Sequence, residues 1–239
     1  MKARTAVAIR TQSRWNVSLS VAFVWSAVVA LLPSAASATL LEPPVGYLSF
    51  TDSPFQPLVP TFSYFHLQTY EGLLTDSSVG STNSAGVVLG PGPLIDSVDG
   101  GGNNGHSLFS GCGACGITFT FNAGVLGGLP THVGIVWTDG LFNIHFSALD
   151  ENNISLGTIT DNRGHDFGSG DGDPHNYRFF GVENSGGISS ITISNDGGGI
   201  EVDHLQYGRV APASVPEPAT LALFSVALIG LWFSRRKLA

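Results

Sequence analysis

The sequence predicts an all-β fold, an antiparallel β-sandwich or jelly roll, flanked by one helical segment at each end. Three observations predict it. Short runs between residues 39 and 215 alternate apolar and polar side chains, as strands with one buried face do. Gly, Asn and Asp punctuate these runs about every 8–15 residues. No amphipathic helical pattern of four turns appears between the same limits. With 31 Gly and only 12% charged residues, the composition suits a chain of many tight turns.

The N-terminus reads as a processing segment. Lys2, Arg4, Arg10 and Arg14 precede an apolar run over 17–32, Pro33 breaks it, and Ala36-Ser37-Ala38 offers small residues for a signal peptidase. This is the pattern of a secretory signal peptide cleaved after Ala38. An uncleaved anchor is the alternative, but the apolar run is short for a membrane span.

The middle begins Pro-rich, through Pro60, and then settles into strands. Residues 117–121 (Ile-Thr-Phe-Thr-Phe) alternate, and Val133, Ile135 and Trp137 repeat the pattern. Thr138-Asp139-Gly140 follows with hairpin-turn chemistry, and Ile144, Phe146 and Ala148 alternate after it. The next turn is Asp150-Glu151-Asn152-Asn153, leading into 154–160. Runs at 179–182, 188–194 and 200–207 complete the series. The organisation is therefore 1–38 signal, 39–210 β domain, and 211–239 linker plus tail.

The tail has three ordered parts: Pro216-Glu217-Pro218, an apolar stretch over 221–233, and the basic cluster Arg235, Arg236, Lys237. As a helix, residues 219–233 would reach about 22 Å, short of the roughly 20 residues a bilayer core requires. The basic end stays cytoplasmic by the positive-inside rule, leaving the β domain outside. This arrangement resembles the PEP-CTERM sorting signal. The resemblance implies an exosortase, a membrane cysteine peptidase, that recognises the tail and cleaves near Pro-Glu-Pro. It also implies a Gram-negative host that makes extracellular polysaccharide, with the protein anchored transiently in the inner membrane and then placed at the cell surface or in the matrix. An ordinary anchor behind a Pro-rich linker is the plainer alternative. The stretch 199–208 (Gly-Ile-Glu-Val-Asp-His-Leu-Gln-Tyr-Gly) is similar to the last strand of carbohydrate-binding-module-like jelly rolls, a likeness of fold alone.

Charge narrows the partners. Residues 39–215 hold 17 acidic residues against Arg163, Arg178 and Arg209, a net charge of −14. Such a surface repels nucleic acid and anionic lipid headgroups. Cations and neutral polymers such as glycans remain.

The candidate chemistry is sparse. Cys112-Gly113-Ala114-Cys115 runs straight into a strand rather than a helix N-terminus, so a short disulfide in an oxidising compartment is expected over a redox centre. No second pair supports structural zinc. In the loop 165–175, Asp166, Asp171 and Asp173 supply hard oxygens suited to calcium, although the spacing does not fit an EF-hand and a solvated acidic turn is the alternative. Asp96 and Asp99, before a triple glycine, are a second such pair. The seven histidines, among them His145 and His204 inside strands, show no zinc-hydrolase spacing. Glu71, Glu183, Glu201 and Asp203 would make a glycosidase pair only if the fold set two of them on a cleft floor. Trp137 and Tyr207 are the aromatic residues considered as sugar platforms, with Trp137 placed in the core by its alternation with Val133 and Ile135. The expectation is a non-enzymatic exported surface or matrix protein without a cofactor. A carbohydrate-binding module with a defined glycan ligand, assisted by calcium, is the alternative, and a polysaccharide hydrolase ranks below it.

Overall fold

A computed structural model describes residues 38–72, 79–82, 86–92, 95–99, 104–164 and 176–211, together with Leu228. The domain is all-β and antiparallel. Its strands are β1 (Ala38–Leu40), β2 (Val45–Gly46), β3 (Phe62–Gln68), β4 (Val79–Thr82), β5 (Val87–Leu89), β6 (Ser107–Ser110), β7 (Ile117–Phe121), β8 (His132–Asp150), β9 (Ser155–Gly164), β10 (Arg178–Asn184) and β11 (Ile188–Val210). One α-helical turn, α1 (Ala123–Leu126), is capped by Asn122, whose side chain accepts from the Gly124 and Val125 amides.

The two long strands organise everything else. β8 and β11 pair antiparallel along their lengths, from Ile188 opposite Asp150 to Gly208 opposite His132. The first part of β8 also pairs with β10, and its second part pairs with β9. β11 pairs with β7 early, with β6 in its middle and with β3 at its end. Register slips midway, at Asn195/Gly197, Gly197/Ile200 and Glu201/Val202, mark where the pair bends. The continuous sheet thereby folds onto itself as a sandwich. Phe146 of one half stacks on Phe180 of the other at 6.0 Å, and Phe121 meets Tyr207 at 5.2 Å.

Alternation fills the core between the halves. Ile117, Phe119, Ile144, Phe146, Ile191 and Ile193 point in from one side, and Val133, Ile135, Trp137, Val182, Val202 and Tyr207 from the other. A second, smaller core lies on the opposite face of β8 and β10. There Val136 and Phe179 pack under Tyr47, Phe55, Val98 and Tyr177. Residues 133–137 are therefore buried on both faces, which is why that run is nearly continuous in apolar residues.

Two expectations change. Thr138-Asp139-Gly140 is not a hairpin turn: β8 passes through it, because β11 offers a partner strand along the whole run. The runs at 188–194 and 200–207 are one strand, β11, rather than two. The strand at 117–121 and the turn at 150–153 form as expected; the Asp150 carboxylate accepts from the Asn152 and Ile154 amides, both at 2.8 Å. Apart from Ala38 and Leu228, the expected signal segment and C-terminal membrane helix fall outside the described residues. Among the described residues no helix is long and apolar enough to cross a membrane.

Candidate functional site

Strand β11 carries a buried polar layer. Ile200, Val202, Leu205 and Tyr207 turn into the main core, so Glu201, Asp203 and Gln206 face the other way. An extra β11 residue at Asp203–Gln206, where His204 has φ 46, adds the His204 ring to that face. The residues 95–99 and the Tyr47–Ser53 region cover it with donors. The Asp96 amide donates to Glu201 at 3.0 Å, and so does the Ser107 hydroxyl. Asp203 accepts from the Val98 amide at 2.8 Å, the Ser97 hydroxyl at 3.1 Å and the His204 amide at 2.6 Å.

Hydrogen bonding fixes the histidine tautomer. Gln206 Nε2 donates to the Tyr47 hydroxyl at 2.9 Å, so that hydroxyl gives its proton to His204 Nδ1 at 2.9 Å. His204 Nε2 then carries the ring proton and donates to Asp99 at 3.1 Å. Burial lowers the His204 pKa, against the opposing pull of Asp99. It also raises Asp203 well above the usual carboxylate range, against its three hydrogen bonds. Glu201 is pushed up to about 7, first by burial; the charges of Asp96 and Asp139 push the same way, while the Ser107 and Asp96 amide hydrogen bonds oppose.

Asp139 stands opposite Glu201 across the β8–β11 ladder. Carboxylate oxygens of Asp96, Asp139 and Glu201 all lie within 4.8 Å of one another. Asp96 comes from the covering residues, and the other two come from the central strands. The layer was only partly legible in sequence. Asp139 reads as a turn residue, and nothing in the spacing joins Asp96 to Glu201. The usable signal was Glu201 and Asp203 alternating with Ile200 and Val202 in a strand buried on both faces.

A second feature lies on the outer face of the other half. Thr158, Ser147, Thr192 and Thr118 stand opposite one another on four successive strands. Thr118 and Thr192 share a hydroxyl hydrogen bond of 2.8 Å. The next row is Thr160, His145 and Ser194. His145 bonds Asp196 at 2.7 Å and Thr160 at 3.1 Å, and the Asp196 pKa is lowered chiefly by that histidine. Phe142 is exposed at the bend of β8 beside Gly197. A shallow groove of about 730 Å³ borders the second row at Thr160, lined also by Glu42, Pro44 and Asn162.

The remaining sequence candidates scatter. Cys112 and Cys115 are disulfide-bonded in a short 3₁₀ turn between β6 and β7. Trp137 is buried, as its alternation implies. Tyr207 is no sugar platform: it is fully buried, with His66 stacked on it at 4.9 Å, because it closes the core rather than the surface. Glu71 bonds His106 at 2.9 Å, and Glu183 lies 3.8 Å from His132. Glu201 and Asp203 are covered by 95–99, so neither lies on an open cleft floor. Ala38 begins β1, opposite Asn184. Asp166, Asp171, Asp173, Ala36, Pro216, Glu217, Pro218, Arg235, Arg236 and Lys237 lie outside the described residues.

A family model of the PEP-CTERM protein-sorting motif matches residues 214–237. The chain carries that motif, which marks an exported protein for processing by an exosortase. No curated protein matches the chain. Among solved structures, the chain is similar to the C-terminal family 22 carbohydrate binding module of Clostridium thermocellum Xyn10B, at 13% identity over 65% of this chain and 98% of that one, with a TM-score of 0.38. It is also similar to the CBM22-1–GH10 modules of Clostridium thermocellum endo-1,4-β-D-xylanase 10B, at 10% identity over 62% of this chain and 29% of that one, with a TM-score of 0.34.

Proposed function

We propose that this chain is a non-catalytic exported protein of a Gram-negative cell surface or extracellular matrix, delivered through its C-terminal tail and associated with extracellular polysaccharide. The sorting motif over 214–237 carries the reading. A short apolar segment with a basic end holds the tail in the inner membrane until the exosortase cuts near Pro216-Glu217-Pro218. The placement of Glu201 and Asp203 supports the non-catalytic part, since a hydrolytic pair must reach its substrate. Mass spectrometry of protein recovered from the cell surface tests it. Mature chain should lack Trp232 and Arg235; an intact C-terminus on surface-recovered protein counts against processing.

The hydroxyl rows favour a second reading, a module that binds a neutral glycan on the outer face. Threonine and serine hydroxyls both donate and accept, which suits a polyol. The exposed Phe142 ring offers an apolar face for a sugar ring. Cosedimentation with a panel of insoluble polysaccharides should show binding that falls several-fold in Phe142→Ala and in Thr192→Val. Retention equal to the parent protein in both variants removes this reading.

A further inference from the structure

The bend in β8 places more than carboxylates at one point. Two β8 residues, Thr138 and Asp139, stand against the single residue Glu201, since Trp137 already pairs with Val202. Thr138 follows Val136 and Trp137 in alternation, which sets it on the face of Val136, away from the main core and on the side that Glu201 takes. Thr138 is 4% exposed, and among the described residues its hydroxyl has no hydrogen-bond partner. A buried hydroxyl without a partner is costly. It marks a place where a further group belongs. The carboxylates beside it are themselves withdrawn from water, with Asp96 2% and Glu201 3% exposed.

We propose that Asp96, Asp139 and Glu201, with the Thr138 hydroxyl, bind one hard divalent cation of the calcium class. Oxygen ligands at about 2.4 Å from a shared ion lie no more than about 4.8 Å apart. The three carboxylates meet that limit, at 4.8 Å or less. All the donors are oxygens, which selects calcium over zinc or copper. Glu201 receives the Asp96 amide and the Ser107 hydroxyl on Oε1, so Oε2 is the atom that faces the ion. The ion would join three separate parts of the chain: the covering residues through Asp96, β8 through Asp139 and Thr138, and β11 through Glu201. It would also relieve the mutual repulsion of three close carboxylates. None of its residues belongs to the acidic run at 165–175.

The test uses the full chain purified in detergent and stripped with a chelator. Calorimetric titration with calcium should give a binding site that is weakened in Asp139→Asn, a half-buried position whose substitution keeps the side-chain shape. Removing one carboxylate should weaken calcium binding about tenfold or more. Terbium should report the same site by emission sensitised through Trp137, the residue next to Thr138. Thr138→Val, of similar shape, should weaken calcium several-fold and decides the matter if Asp139→Asn fails to fold. Circular dichroism from the aromatic side chains checks folding in each case. A folded parent chain that takes up neither calcium nor terbium overturns the proposal. So do folded Asp139→Asn or Thr138→Val variants with unchanged affinity, which would place any bound ion elsewhere, as in the 165–175 loop.

Discussion

His132 shows how a side chain acquires its state from its surroundings. Its ring lies edge-on to Phe55 at 5.4 Å and to Phe62 at 5.1 Å. Burial lowers its pKa, and Glu183 at 3.8 Å offsets only part of that. The fold therefore favours the neutral ring. A histidine with a depressed folded pKa contributes stability above its unfolded value of 6.5, and that contribution is lost as pH falls through the folded value. Thermal melts from about pH 8 to about pH 5 should show the parent losing more stability than His132→Asn. Equal losses would mean that the ring is not held neutral. The residue type alone gives no hint of this, because the flanking rings come from residues 55 and 62, far away in sequence.

At the scale of elements, the cross-strand fit of β8 and β10 depends on one missing side chain. A Cβ on Gly134 would come within 2.1 Å of the Phe179 ring, on the neighbouring strand. That ring cannot retreat, since Tyr47 stacks on it at 5.9 Å and Phe55 meets it edge-on at 5.3 Å. Gly134→Ala should cost about 1–3 kcal/mol of stability by overpacking, read from urea denaturation. A variant as stable as its parent would show that the second core has room to shift. Strand β7 was legible from its alternation, and β9 and β10 from short runs bounded by turn residues. The bend in β8 was not. Asp139-Gly140 has the chemistry of a hairpin, and only the partner strand β11, more than fifty residues on, keeps the chain extended there.

For the whole molecule, destination and body are separate matters. The sorting motif over 214–237 follows the last strand, β11, which ends at Val210. A chain truncated before residue 214 should still be exported, but should leave the envelope unprocessed and unretained, as fractionation with immunoblotting would show. Retention equal to the full chain would remove the tail from the sorting reading. The acidic body, with a net charge of −14 over residues 39–215, keeps it off anionic surfaces, so any hold on a matrix must come through neutral or cation-bridged contacts.

The sorting motif, the all-β class, the local strands and the close spacing of Cys112 and Cys115 can all be read along the chain. Those features are contiguous: charge order, a short apolar run, period-two alternation and a three-residue separation are all written along a few neighbouring positions. The tertiary structure alone decided that Tyr207 is core, that Phe142 is exposed, and that Asp96, Asp139 and Glu201 converge. The last depends on two register slips and a covering segment, which set residues more than a hundred positions apart within 4.8 Å. A slip in register moves a side chain from one face of a sheet to the other, and no local pattern records which partner strand will impose it.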